Sequence, residues 1–221
     1  MLFDLRSRGR RRTVQVVYVG LAVLIGAGLV LFGVGTGTGG GGLLGGLTGS
    51  NSGSNGGNAV TAQVKHAVAR AKQNPHSASA WANLVAARFS AANSVGYNSN
   101  TSTYTATGKQ QLRLLTEAYG HYSALVKTPN ANTATLAAKA YTQLSEWSRA
   151  SAAYQSVLQT SPGNILYLRC VAMTSYAAKN DRVGQLAETR LLQKLPKSVR
   201  KENKAVVDQA KTSTTVVTQS C

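Results

Sequence analysis

Residues 129–196 read PNANTATLAAKAYTQLSEWSRASAAYQSVLQTSPGNILYLRCVAMTSYAAKNDRVGQLAETRLLQKLP. Prolines stand at 129, 162 and 196, at two nearly equal intervals. Between them the apolar residues recur at the helical spacing of three and four: Leu136, Ala140, Tyr141, Leu144; then Trp147, Ala150, Tyr154, Val157, Leu158; then Ile165, Leu168, Ala172, Tyr176; then Val183, Leu186, Ala187, Leu191. No sustained alternation of period two occurs, which argues against a sheet. Polar breaks such as Ser161-Pro162-Gly163-Asn164 and Lys179-Asn180-Asp181 separate these short helices, and Asn164 and Asp181 are suited to cap the helix that follows. Short helices joined by short turns lie antiparallel, so the stretch predicts two helix pairs.

The pattern extends in both directions. Upstream, Val60, Val64, Ala67, Val68 and Ala71 predict one helix, Trp81, Leu84, Val85 and Phe89 a second, and Leu112, Leu115, Tyr119, Tyr122 and Val126 a third. The fourth proline, Pro75, lies further from Pro129 than one such interval allows. The excess falls on a polar insert at 93–108, NSVGYNSNTSTYTATG, whose plain reading is a disordered loop; the functional one takes Tyr97 and Tyr104 as exposed partner anchors, because tyrosine supplies contact area at little entropy cost. Downstream, Val199, Val206 and Ala210 predict a weaker eighth helix, and 212–221 reads as a disordered tail.

A period near 34 with a proline closing each helix pair resembles the tetratricopeptide repeat family, whose pattern is W-x2-L-G-x2-Y, then A-x3-F, then proline. Trp81, Leu84 and Val85 stand at the opening positions after Pro75, with Arg88 in place of the tyrosine. Ala118 and Tyr122, then Ala150 and Tyr154, match A-x3-F, whereas Gly184 and Glu188 depart from it. Tyr141 also fits, with Ala134, Ala137 and Ala138 at other positions of that repeat. The resemblance covers roughly residues 60–211 and implies an all-α solenoid of antiparallel helix pairs. Arrays of this family bind peptides or proteins along the wall formed by the first helix of each pair. It therefore implies a protein or peptide partner, with Asn132, Lys139, Thr142 and Arg169 as groove contributors.

The N-terminal quarter has a different character. Residues 1–13 carry Arg6, Arg8, Arg10, Arg11 and Arg12 against Asp4, and 14–34 is an uncharged apolar run. As a helix that run measures about 31 Å, enough for a hydrocarbon core of about 30 Å. It is longer than a signal-peptide core and no Ala-x-Ala-like site follows, so a single-pass transmembrane anchor is expected, its basic end in the cytoplasm and the C-terminal domain extracytoplasmic. Ala22 and Gly26 form a small-xxx-small pair that would suit association through the span. Residues 35–58 are mainly Gly, Ser, Thr and Asn and read as a flexible linker to a domain at 59–211.

The chain contains no GxSxG, HExxH, P-loop or metal-ligand spacing, and its three histidines, His66, His76 and His121, form no constellation with the acids. The sequence thus argues against an enzyme and implies no cofactor. Its two cysteines, Cys170 and Cys221, do not make a disulfide framework; Cys170 suits a small buried position, and pairing with Cys221 stays open. Formal net charge is +17, and its densest part is the set Arg190, Lys194, Lys197, Arg200, Lys201 and Lys204. A solvated face is the plain reading of that run; a surface for anionic lipid or an anionic envelope polymer is the functional one. Nucleic acid is disfavoured, because the aromatics sit at core spacing instead of forming a stacking platform.

Overall fold

The structure, a computed structural model, describes residues 56–221. The arginine-rich start, the apolar run at 14–34 and linker residues 35–55 lie outside them. Among the described residues no helix is long and apolar enough to cross a membrane.

Nine helices are seen among the described residues: α1 (Gly56–Gln73), α2 (Ala78–Gly96), α3 (Ala106–Leu125), α4 (Ala131–Gln143), α5 (Trp147–Thr160), α6 (Ile165–Ala177), α7 (Asp181–Lys194), α8 (Lys197–Gln209) and α9 (Thr214–Ser220). Two two-residue strands, β1 (Tyr97–Asn98) and β2 (Thr103–Tyr104), join α2 to α3. Each helix from α1 to α7 packs on its successor, with the closest pairs α2/α3, α4/α5 and α6/α7, a packing like that of helical-repeat proteins. α1 begins at Gly56, so the last three residues of the expected linker belong to the helix that Val60 and Val64 anchor.

The repeat period is visible in the backbone. Ser145 and Lys179, one period apart, both have φ of 60° and end α4 and α6 in the same way. Glu146 N–H donates to Tyr141 C=O (2.8 Å), and Asn180 N–H donates to Ser175 C=O (2.9 Å), the long bond of a Schellman turn. The chain therefore leaves the first helix of each of these pairs through the same turn. Caps are polar as the sequence suggests: Asn164 Oδ1 accepts from Leu166 and Tyr167 N–H. At α7 the cap is Asn180, whose side chain accepts from Val183 N–H, with Asp181 as the first helical residue.

Alanine dominates the seams between pairs. Ala134, Ala137, Ala138, Ala140 and Ala150 are fully buried, and their small side chains let helices approach while Tyr122, Tyr141 and Tyr154 fill the gaps. Gly184 serves the third pair, since a Cβ there would stand 2.7 Å from the Tyr176 ring. The buried Glu188, at the aromatic position of the pattern, accepts a hydrogen bond from the Tyr176 hydroxyl (2.6 Å).

Two expectations are corrected. The insert at 93–108 is mostly ordered helix and hairpin: α2 runs on to Gly96, and Tyr97 pairs with Tyr104 before α3 starts at Ala106. Gly96 and Gly108 permit this, because a Cβ on Gly96 would lie 2.2 Å from the Gly108 Cα. Tyr97 is exposed, but Tyr104 is half-buried and donates its hydroxyl to Asn93 Oδ1 (2.5 Å). The expected disordered tail at 212–221 instead contains α9, which folds back across α6 and α4 and buries Val217 completely. A Cys170–Cys221 disulfide, at a sequence separation of 51 with Cα atoms 5.5 Å apart, fastens it. The reason is in α6, where every residue from Cys170 to Tyr176 is buried. A helix buried on all sides needs cover on all sides, and α5, α7, α8 and α9 provide it.

Candidate functional site

The first helices of the pairs, α2, α4 and α6, form one wall, with α2 in contact with α4 and the Thr135 hydroxyl of α4 bonded to the Tyr167 hydroxyl of α6 (3.3 Å). On α4 the exposed stripe carries Asn132 and Lys139, one turn before and one turn after the half-exposed Leu136. On α2 it carries Ser79 and Asn83. Asn83, Asn132 and Lys139 are exposed and can meet a partner, whereas the Ser79 hydroxyl is hydrogen-bonded to that of Ser77 (3.0 Å). Thr142 is not: it is fully buried, and its hydroxyl donates to Ala138 C=O (2.8 Å). Its position on the helix turns it toward Tyr154, so it is withdrawn from the groove set. Arg169 is half-buried, with its Nε enclosed and without a hydrogen-bond partner.

The C-terminal part of the wall is occupied by the chain itself. Gln143 Nε2 donates to Thr218 C=O (3.1 Å) and the Tyr154 hydroxyl donates to Cys221 C=O (2.8 Å). Burial of the Tyr154 ring pushes its hydroxyl pKa well above the ordinary tyrosine value, so it stays a donor. Sequence reasoning missed Gln143 and the tail as wall elements. The available signal was the uninterrupted apolar run Cys170-Val171-Ala172-Met173, which needs a fourth neighbour.

The basic set divides. Arg190, Lys194, Lys197 and Lys201 are exposed and form no ion pair among the described residues. Arg200 is half-buried and its Nε donates to Leu195 C=O (2.9 Å), closing the α7–α8 turn. Lys204 is engaged internally, paired with Asp208 (2.6 Å) and Glu188 (3.5 Å). Lys211 joins the same network through Asp208 and Glu188 and lies 4.5 Å from the Tyr176 ring centroid. The hydrogen bonds from Lys204 and Lys211 hold the Asp208 carboxyl below its usual range. Lys204 is therefore a strut between α7 and α8, and the open basic surface is the remaining exposed four.

A second feature lies between α1, α2 and α3. A cavity of about 210 Å³ is lined by Val68, Lys72, Trp81, Arg88, Glu117 and His121 among others. Trp81 stacks on His121, ring centroids 4.3 Å apart. Arg88, where the repeat pattern has tyrosine, gives Nη1–H to Gln111 Oε1 (2.8 Å) but leaves Nε buried and unpaired. Burial lowers its pKa, with Glu117 acting against that. Among the described residues no group of three His, Cys, Asp or Glu is arranged to hold a metal ion.

No protein-family model matches the chain, and neither a curated protein nor a solved structure matches it.

Proposed function

We propose that this chain is a membrane-tethered adaptor, built as a tetratricopeptide-like solenoid, that takes a protein or peptide partner on the extracytoplasmic side. The observation that carries the reading is α9: the wall made by α4 and α6, joined by Tyr154 of α5, already holds a short helix by burial, two polar bonds and a covalent clip. A wall able to seat one helix in this way suits helix-in-groove recognition. The adjoining stretch with Asn83, Asn132 and Lys139 exposed is open for a partner. Tethering is supported by the arginines at 6–12 and the apolar run at 14–34 after them.

The reading is tested by photo-crosslinking from position 132 or 139 in intact cells. Discrete protein adducts are expected there, with none from position 197. Adducts confined to position 197, or lipid and polymer adducts alone, would reject it.

A second reading has an observation of its own. Arg190, Lys194, Lys197 and Lys201 present four charges without an ion pair on α7 and α8, which suits an anionic lipid or envelope polymer.

A further inference from the structure

We propose that α9 is an exchangeable strap: the Cys170–Cys221 disulfide locks it on the wall, and thiol–disulfide exchange with a dithiol reductant opens that site for another uncharged helix. The proposal rests on the adaptor reading above and specifies how one part of the wall is regulated.

Four observations converge. The strap is a separate short helix joined to α8 by Ala210–Ser213, and its only fully buried side chain is Val217. A seven-residue helix is far below the length that is stable alone, so its order depends on the wall. Its polar bonds are two, Gln143 to Thr218 and Tyr154 to Cys221, and both engage carbonyls of the last turn, which lack an intrahelical partner at the end of any helix. Finally, the clip is asymmetric: Cys170 is buried at 2% exposure, whereas Cys221 is only partly buried.

The asymmetry sets the chemistry. A reductant thiolate attacks the Cys221 sulfur, the Cys170–Cys221 bond breaks, and Cys170 leaves as a thiolate that takes a proton. The reductant's second thiol then attacks the mixed disulfide and releases Cys221 as a thiol. Two electrons pass to the protein and the reductant ends as a disulfide. Without the clip the strap is held by the burial of Val217, the partial burial of Val216 and Cys221, and two hydrogen bonds.

The occupant that fits is defined by the strap. Residues 212–221, TSTTVVTQSC, carry no charged side chain in a chain of net charge +17. The groups that bond to them, Gln143 and Tyr154, are neutral, and Val217 is fully buried, so a charged residue in its place would be desolvated. The site therefore selects an uncharged short helix with adjacent β-branched residues, and rejects a basic segment such as residues 190–204.

The experiment uses the full chain in detergent micelles and, as probe, a fluorescent peptide of residues 212–221 carrying Cys221→Ser. Peptide anisotropy is followed with the oxidised chain, with the chain in dithiothreitol, and with Val217→Asp in dithiothreitol. Thr215→Asp, an exposed position, is the control. No binding is expected to the oxidised chain, weak binding to the reduced chain, and binding at least about tenfold tighter to reduced Val217→Asp, because a tethered competitor acts at millimolar effective concentration. Thr215→Asp should behave as the parent. Alkylation of Cys170 in the reduced parent should proceed while the helical circular dichroism is intact. Equal peptide binding in oxidised and reduced states overturns the proposal. So does a lack of binding to reduced Val217→Asp that keeps its helical spectrum, or Cys170 alkylation only on global unfolding. Because the probe is the chain's own sequence, any of these failures leaves the crosslinking result at 132 and 139 unaffected.

Discussion

The Tyr154 hydroxyl donates to the backbone carbonyl of Cys221 at 2.8 Å, at a sequence separation of 67. One aromatic ring thus does two things: it fills the gap between α4 and α6 from the second helix of its pair, and its polar end seats the strap. Tyr154 is buried to 1% exposure. Tyr154→Ala is expected to destabilise the domain by about 3–5 kcal/mol, and Tyr154→Phe by about 1 kcal/mol, since only the hydroxyl bond is lost. Denaturant midpoints of the two variants check the ratio. Equal losses would mean that the hydroxyl, not the ring, carries the effect.

Reducing the disulfide is expected to remove about 2–4 kcal/mol of stability, because the clip closes a long loop in the unfolded chain. Cys221→Ser should show a similar loss, and dithiothreitol should then have no further effect on its midpoint. A variant that still responds to dithiothreitol would contradict the Cys170–Cys221 pairing.

Two glycines give opposite outcomes. Gly120 lies on the exposed side of α3 with open space around its Cα, so Gly120→Ala should stabilise by about 0.5–1 kcal/mol through helix propensity alone. Gly96 faces the Gly108 backbone, with no flexible side chain to move aside. Gly96→Ala must part α2 from α3 and should cost about 1–3 kcal/mol. Thermal midpoints of both variants, moving in opposite directions, test how closely these helices approach.

Much of this fold is legible in the sequence, and what is not has physical causes. Helix pairs could be read from local information: apolar spacing, capping Asn164, and the regular recurrence of Pro129, Pro162 and Pro196. α9 could not, because TSTTVVTQSC has one buried residue and no helical stripe; its order comes from a wall built by α4 and α6, far earlier in the chain. The candidate site followed the same division. Asn132 and Lys139 fell on the exposed stripe as helical periodicity requires, but Thr142, further along the same helix, turned inward to a place that only the Tyr154 contact defines. Lys204 looked like its basic neighbours until the α7–α8 turn brought Glu188 beside it, to join Asp208, its i,i+4 neighbour on α8.

High pH should unfold the domain earlier than its composition suggests. Burial raises the Tyr119 pKa to about 12 and pushes Tyr154 and Tyr176 upward too, with the Glu188 bond adding to burial at Tyr176. The unfolded chain ionises its tyrosines near pH 10. Below that pH both states hold the protons and stability is unaffected. Above it the unfolded state loses protons first, so stability falls as pH rises from about 10 toward 12. Thermal midpoints across that range, with tyrosinate absorbance followed in parallel, should show the buried groups ionising together with unfolding. Full ionisation in a chain still helical at about pH 11 would contradict the burial of these rings.

The last prediction separates the two functional readings by ranking and by salt. With a partner obtained from crosslinking at 132 or 139, Lys139→Gln with Asn132→Ala should weaken capture more than neutralising Arg190, Lys194, Lys197 and Lys201 together. The wall supplies shape and apolar contact as well as charge, and such contacts survive added salt. Binding to phosphatidylglycerol vesicles or to an anionic polymer should rank the other way, since exposed cations are screened beyond about 8 Å at physiological ionic strength. Each variant set is therefore measured at two salt concentrations against both probes. Arg169 is left in place, because its Nε is enclosed and its removal would disturb packing as well as charge. Lys204 is left for the same reason, as its loss would free Asp208 and Glu188. If the α4 variants prove inert while the α7–α8 set abolishes partner capture in a salt-steep manner, the adaptor reading falls and the basic surface becomes the working face of the molecule.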